Sequence, residues 1–269
     1  MTHQQILDKI ADKSLAISID EDLARLTGDA MTYYEQREDR ITYILPKLFL
    51  RWNCVLEADN NKISDLYKQK TILAIAVCLH KYGFSDNDII LKALDSIDKL
   101  NDATALSDDF FRKSKEIKQF LNSTPTILKR RPLVPNNITF YRAEDVISIQ
   151  LNKKYYAAYI HYLYRPNEIP IIEFYDAVFD KVPTMAELEN VPAKGEIGND
   201  GIEELMRFFV PGIKFLPDLA NQIKLVSACI KEPPSISHLK SEYDPNHFSR
   251  GSDIFKIQKD IKKLFGDDR

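Results

Sequence analysis

The stretch that decides the fold is Asp145-Val-Ile-Ser-Ile-Gln-Leu151, Asn152-Lys-Lys154, then Tyr155-Tyr-Ala-Ala-Tyr-Ile-His-Tyr-Leu-Tyr164. In the first run apolar residues alternate, which puts Ile147, Ile149 and Leu151 on one face of a strand. Asn152 to Lys154 is a short polar turn, and the second run is rich in aromatic and β-branched residues, so the two make a β-hairpin. Its second strand offers Tyr155, Ala157, Tyr159, His161 and Leu163 on one side, and Tyr156, Ala158, Ile160, Tyr162 and Tyr164 on the other. Ile169-Pro-Ile-Ile-Glu-Phe-Tyr-Asp-Ala-Val-Phe179 reads as a third strand, with Ile171, Glu173 and Tyr175 facing opposite to Ile172 and Phe174. Three adjacent antiparallel strands predict a strongly bent sheet or small barrel.

Downstream, Thr184-Met-Ala-Glu187 has the spacing of a capping box and opens a short helix. The Gly195 to Gly201 stretch reads as a loop. Leu205 to Val210, Lys214-Phe-Leu216 and Ile223 to Ile230 read as further strands. Ser252 to Phe265, with Ile254, Phe255, Ile257, Ile261 and Leu264, reads as an amphipathic terminal helix.

Upstream the texture changes. Of 13 prolines only Pro46 lies before Thr124, and of 8 glycines only Gly28 and Gly83 do. Proline is excluded from helix interiors and glycine weakens them, so the first half is helical. Ser18-Ile-Asp-Glu21 has capping-box spacing and predicts a helix from about Ile19 to Gln36. Arg40 to Glu57 follows, bent or split by Pro46; Leu66 to Tyr82 is apolar almost all round and closes at Gly83. Ser85-Asp-Asn-Asp88 and Ser107-Asp-Asp start two more helices. The acidic residues of Asp20-Glu-Asp22 and Asp108-Asp109 are read as first-turn caps, and His80 as a capping or core histidine. The expected class is α+β. An all-α helical bundle at 1–122 and a linker at 123–137 lead to a mainly antiparallel, bent or barrel-like β-rich domain with a C-terminal helix at 138–269.

Composition excludes several functions. The chain has 269 residues, 44% hydrophobic, enough to bury a core without disulfides or metal. Cys54, Cys78 and Cys229 lie far apart with no CxxC pair. Lys plus Arg is 37 against 40 acidic residues, too balanced for a generic phosphate-backbone binder. Residues 1–122 hold 17 basic and 20 acidic side chains and the rest 20 of each, so the negative excess sits in the helical half. The longest apolar run, Thr71 to Leu79, is short of the ~20 residues of a membrane span, and Met-Thr-His-Gln-Gln does not open a signal peptide, so a cytoplasmic protein is expected.

The words Tyr141-Arg-Ala-Glu-Asp-Val-Ile-Ser-Ile-Gln-Leu, Lys154-Tyr-Tyr-Ala-Ala-Tyr-Ile, Pro170-Ile-Ile-Glu-Phe-Tyr-Asp and Asp180-Lys-Val-Pro-Thr-Met-Ala-Glu-Leu are familiar in kind and order. They resemble the immunity protein 26 family of bacterial polymorphic toxin systems, which serve interbacterial competition. Glu144 stands where that family commonly has glycine, and Gln150 where it often has proline. The resemblance covers about Ile138 to Glu189 well, Val210 to Pro234 loosely, and the helical half not at all. It implies a cytoplasmic antidote that blocks a cognate toxin by non-catalytic binding, with no cofactor or metal.

Acidic groups suit a basic, nucleic-acid-processing toxin. The partner-binding residues expected are Tyr155, Tyr156, Tyr159, Glu173, Tyr175, Asp176 and Asp180. Two other readings stay open. His161 with Glu173 and Asp176, and with Glu144 or Asp145 as a further carboxylate, would be the acid-base set of a hydrolase or nuclease. Tyr155, Tyr156, Tyr159 and Tyr162 would be a base-stacking platform of a nucleic-acid module, although Lys153-Lys154 is the one basic pair nearby.

Overall fold

A computed structural model describes residues 1–198, 200–240, 248 and 250–266. The chain divides at Pro135–Asn136 into two compact units. The class is α+β.

The first unit holds α1 (His3–Lys9), α2 (Lys13–Tyr33), α3 (Arg37–Leu56), α4 (Asp65–Lys81), α5 (Asn87–Asp102) and α6 (Asp108–Leu121). The apolar character of α4 explains its place: every residue from Thr71 to His80 is buried, and it touches each of the other five helices. Ser64, Asp86 and Ser107 cap α4, α5 and α6 by accepting from Tyr67, Ile89 and Phe110 amides. Gly83 closes α4 in the left-handed region, φ 84°. α3 runs through Pro46, which lies on its exposed face.

Three expectations change here. The second helix begins at Lys13, six residues before Ile19, because the Asp12 side chain accepts from the Leu15 amide; Ser18 is buried in its interior. α1 precedes it, opened by a capping box of Thr2 and Gln5. Asp22 is no cap either: it is 6% exposed and accepts from Arg51 Nε at 2.8 Å and Trp52 Nε1 at 2.9 Å. The segment after α6 belongs to the bundle unit, with Pro125 buried and Thr126 and Ile127 close against Gly83.

In the second unit, β1 (Val146–Leu151), β2 (Lys154–Arg165) and β3 (Glu168–Phe179) form the expected antiparallel meander, joined at Asn152 and Lys153 with positive φ. The capping box at Thr184 and Glu187 opens α7 (Met185–Leu188). Short strands β4 (Glu196–Ile197), β5 (Glu203–Glu204), β6 (Phe208–Phe209), β7 (Ile223–Ser227) and β8 (Arg250–Gly251) follow, then α8 (Lys256–Phe265). The main sheet has the order β7-β1-β2-β3-β6-β8, antiparallel except for β6·β8; β4 and β5 pair apart from it. Among the described residues β7 and β8 end this sheet unpaired with each other, so it is an open mixed sheet rather than a closed barrel. Lys214-Phe-Leu216, expected as a strand, lies outside the strands.

Both faces of the sheet are covered. On one, Val146, Ala157, Tyr159 and Tyr175 pack with Leu188 of α7. On the other, Tyr156 and Phe174 meet Phe265 of α8, with ring centroids 4.9 and 6.1 Å apart. Burial on two sides is why β1 reads as a run of buried residues despite its alternating sequence.

Candidate functional site

Two irregularities in the β2·β3 ladder shape the site. Ile160 pairs with Ile172 and Tyr162 with Ile171, so His161 is an inserted residue on β2. Such a bulge re-aims the side chain it carries. At the other end Tyr156 pairs with Val178 and Ala158 with Phe174, leaving two extra residues on β3 around Asp176. That part of β3 turns to the chain after α7: Tyr175 bridges to Ala193, and the Asp176 amide donates to Pro192 O at 2.8 Å.

Between the bulges Tyr159 lies directly opposite Glu173. β6 pairs Phe208 with Ile172, which carries Arg207 alongside Glu173. Arg207 Nε donates to Glu173 Oε2 at 2.7 Å, and His161 Nε2 lies 3.3 Å from the same oxygen without the alignment of a hydrogen bond. Glu173 is 0% exposed, and its Oε1 has no hydrogen-bond partner among the described residues. The Tyr159 ring meets the edge of His161 at 4.9 Å, and its hydroxyl donates to Ile230 O at 2.9 Å. Side chains from β2, β3 and the residue just before β6 thus converge on one buried carboxylate. Burial, with Glu144 and Glu173 nearby, raises the Tyr159 phenol above its usual range. Burial first, then Tyr159 and Glu173, pushes Tyr175 up to about 12.

The expected surface residues divide. Glu173, Tyr156, Tyr159 and Tyr175 are interior, at 0%, 0%, 4% and 3% exposure, so they fill the two cores and cannot meet a partner directly. The reason is the covering of both sheet faces, which a strand's own alternation does not reveal. Tyr155 is half-buried, and Asp176 and Asp180 are exposed. Asp176 pairs with Lys194 at 3.1 Å and Asp180 with Lys154 at 2.6 Å.

Of the acid-base set, His161 and Glu173 come together. Glu144 is drawn off to Lys231, and Asp145 accepts from the Arg142 amide at 2.8 Å. Of the four tyrosines expected as a base-stacking platform, Tyr156 and Tyr159 are buried and Tyr155 and Tyr162 half-buried. Arg207 is the member that sequence reasoning missed; its only signal was a single cation inside the apolar run Leu205 to Val210. Among the described residues no group of three or more His, Cys, Asp or Glu is placed to hold a metal ion, and no helix is long and apolar enough to cross a membrane.

Chemically the cluster is a clamp. A buried carboxylate needs its counter-charge, and Arg207 supplies it while tying β6 to β3. His161, whose side chain is 12% exposed, is its link to the surface.

Comparisons with protein-family models, with curated proteins and with solved structures find no match for this chain.

Proposed function

We propose that this chain is an immunity-type protein, acting in the cytoplasm, that neutralises a cognate bacterial toxin by direct, non-catalytic binding. The observation that carries the reading is that the four sequence words resembling an immunity family fall on one continuous unit, β1–β2–β3–α7, in the order the resemblance implies. A sheet buried on both sides and clamped at Glu173–Arg207 is a rigid support, as tight recognition without reorganisation requires.

The part of the expected surface that a partner can reach is Tyr155, Asp176 and Asp180, beside the exposed Val178. An amphipathic aromatic, an aliphatic and two carboxylates suit a basic partner. Lys194 and Lys154 now occupy those carboxylates, but exposed pairs of this kind contribute about 0–1 kcal/mol, so a partner's arginines can displace them.

The test is co-expression with the product of the neighbouring upstream gene. That product is toxic alone, harmless with this chain, and co-elutes with it on gel filtration. A non-toxic neighbour, or toxicity that persists without a complex, refutes the proposal.

One observation favours a hydrolase reading: His161 Nε2 within 3.3 Å of Glu173. It requires His161→Ala to abolish protection while leaving the complex intact. Binding-based neutralisation keeps protection in that variant as long as the complex forms.

A further inference from the structure

We propose that the His3–His80 contact is a proton-sensitive latch that holds α1 on the helical bundle and lets it go on acidification. His80 Nε2 lies 3.1 Å from Ser123 O. A carbonyl oxygen can only accept, so Nε2 carries the proton and Nδ1 presents a lone pair. His3 Nε2 fills that lone pair at 2.9 Å. The Phe120 ring sits against both imidazoles, with centroids 4.9 Å from His3 and 4.7 Å from His80. One contact therefore joins α1, α4 and the end of α6.

In this arrangement the pair has room for one added proton at most. A proton on His3 Nδ1 leaves the His3 donor in place. A proton on His80 Nδ1 sets two N–H groups against each other at 2.9 Å, in a site where His80 is 7% exposed. The charged groups facing the pair are few. Lys81 follows His80 on α4 and is bound by Asp20 of α2 at 2.6 Å. α6 and its end offer the uncharged Phe120 and Ser123, while Lys9 of α1 is engaged by Asp109 of α6. No carboxylate hydrogen-bonds either imidazole among the described residues.

Burial lowers the pKa of both histidines below the ordinary 6.5, and for His3 the neighbouring His80 and Lys81 lower it further. The released state then binds protons more tightly than the docked one. The stabilisation is full above pH 6.5 and is lost as pH falls from there towards the depressed docked values. Release would free the α1 side of Ile6 and Ile10, both 0% exposed, and remodel the cleft of ≈390 Å³ that α1 and α2 wall with Leu7, Asp12, Ala16 and Asp20.

The experiment is amide hydrogen exchange on the full chain, read by mass spectrometry at about pH 7.5 and about pH 5 and corrected for intrinsic rates. Protection of α1 falls roughly tenfold or more in the wild type, relative to α4, over that interval. His3→Gln, whose amide still donates to His80 Nδ1, and His80→Gln each flatten the response. Unchanged α1 protection between the two pH values overturns the latch. So does a fall of the same size in both variants; the wild-type measurement stands even if one variant fails to fold.

Discussion

Glu173 of β3 and Arg207, the residue just before β6, face each other, Oε2 to Nε at 2.7 Å, with side chains 0% and 7% exposed. Neither can be hydrated in place. The pair thus acts as a geometric constraint, fixing β6 to β3 where bulges on either side interrupt the ladder. Such a buried pair adds little net stability over a hydrophobic replacement, but its halves are not separable.

Removing one half alone is accordingly costly. Arg207→Met takes the guanidinium partner from the buried Glu173 carboxyl group and destabilises the second unit by about 3–5 kcal/mol. The double variant Glu173→Leu with Arg207→Met recovers most of that loss. Urea denaturation of the two variants measures both quantities.

In the bundle, Asp22 accepts from Arg51 and Trp52 through the same oxygen, Oδ2. Asp22→Ala removes the carboxylate oxygen that a buried guanidinium and an indole N–H both donate to, and costs about 3–5 kcal/mol. Asp22→Asn keeps an acceptor but loses the charge, and falls between wild type and alanine in the same denaturation experiment.

Gly83→Ala strains two things at once. Its φ is 84°, and an added Cβ would sit 2.9 Å from Thr126 O. A loss of about 1–3 kcal/mol is expected, and hydrogen exchange of the 124–128 amides should rise more than that of α5.

The three thiols should react in order of access. Cys229 is exposed, whereas Cys78 is buried in α4, where desolvation pushes its thiol far above the usual range. Iodoacetamide at about pH 8 labels Cys229 in the native protein and spares Cys78 until denaturant is added. Peptide mapping distinguishes the sites.

The chain's two-part organisation was legible because it rests on local chemistry. Pro and Gly avoid residues 1–122 except at Pro46, Gly28 and Gly83, and the caps Ser64 and Ser107 stand directly before their helices. α2 was misplaced because Ser18 and Glu21 imitate a start that Asp12 actually makes. The site was harder to see for a tertiary reason. Period-2 alternation assigns Glu173 to a face but cannot say that α7 covers it, and the insertion of His161 shifts the phase of β2 beyond it. Arg207 stands just before a strand of only two residues, Phe208–Phe209, too short for any periodicity.

Neutralisation by binding is tested most directly by titrating the toxin's activity with the purified chain. Binding predicts a linear fall to zero at about one equivalent, with a complex of summed mass, as tight stoichiometric association requires. Asp176→Asn with Asp180→Asn should weaken that complex without changing the melting temperature. Complete loss of toxin activity at about a tenth of an equivalent, the mark of turnover, or undiminished activity at several equivalents, would contradict it.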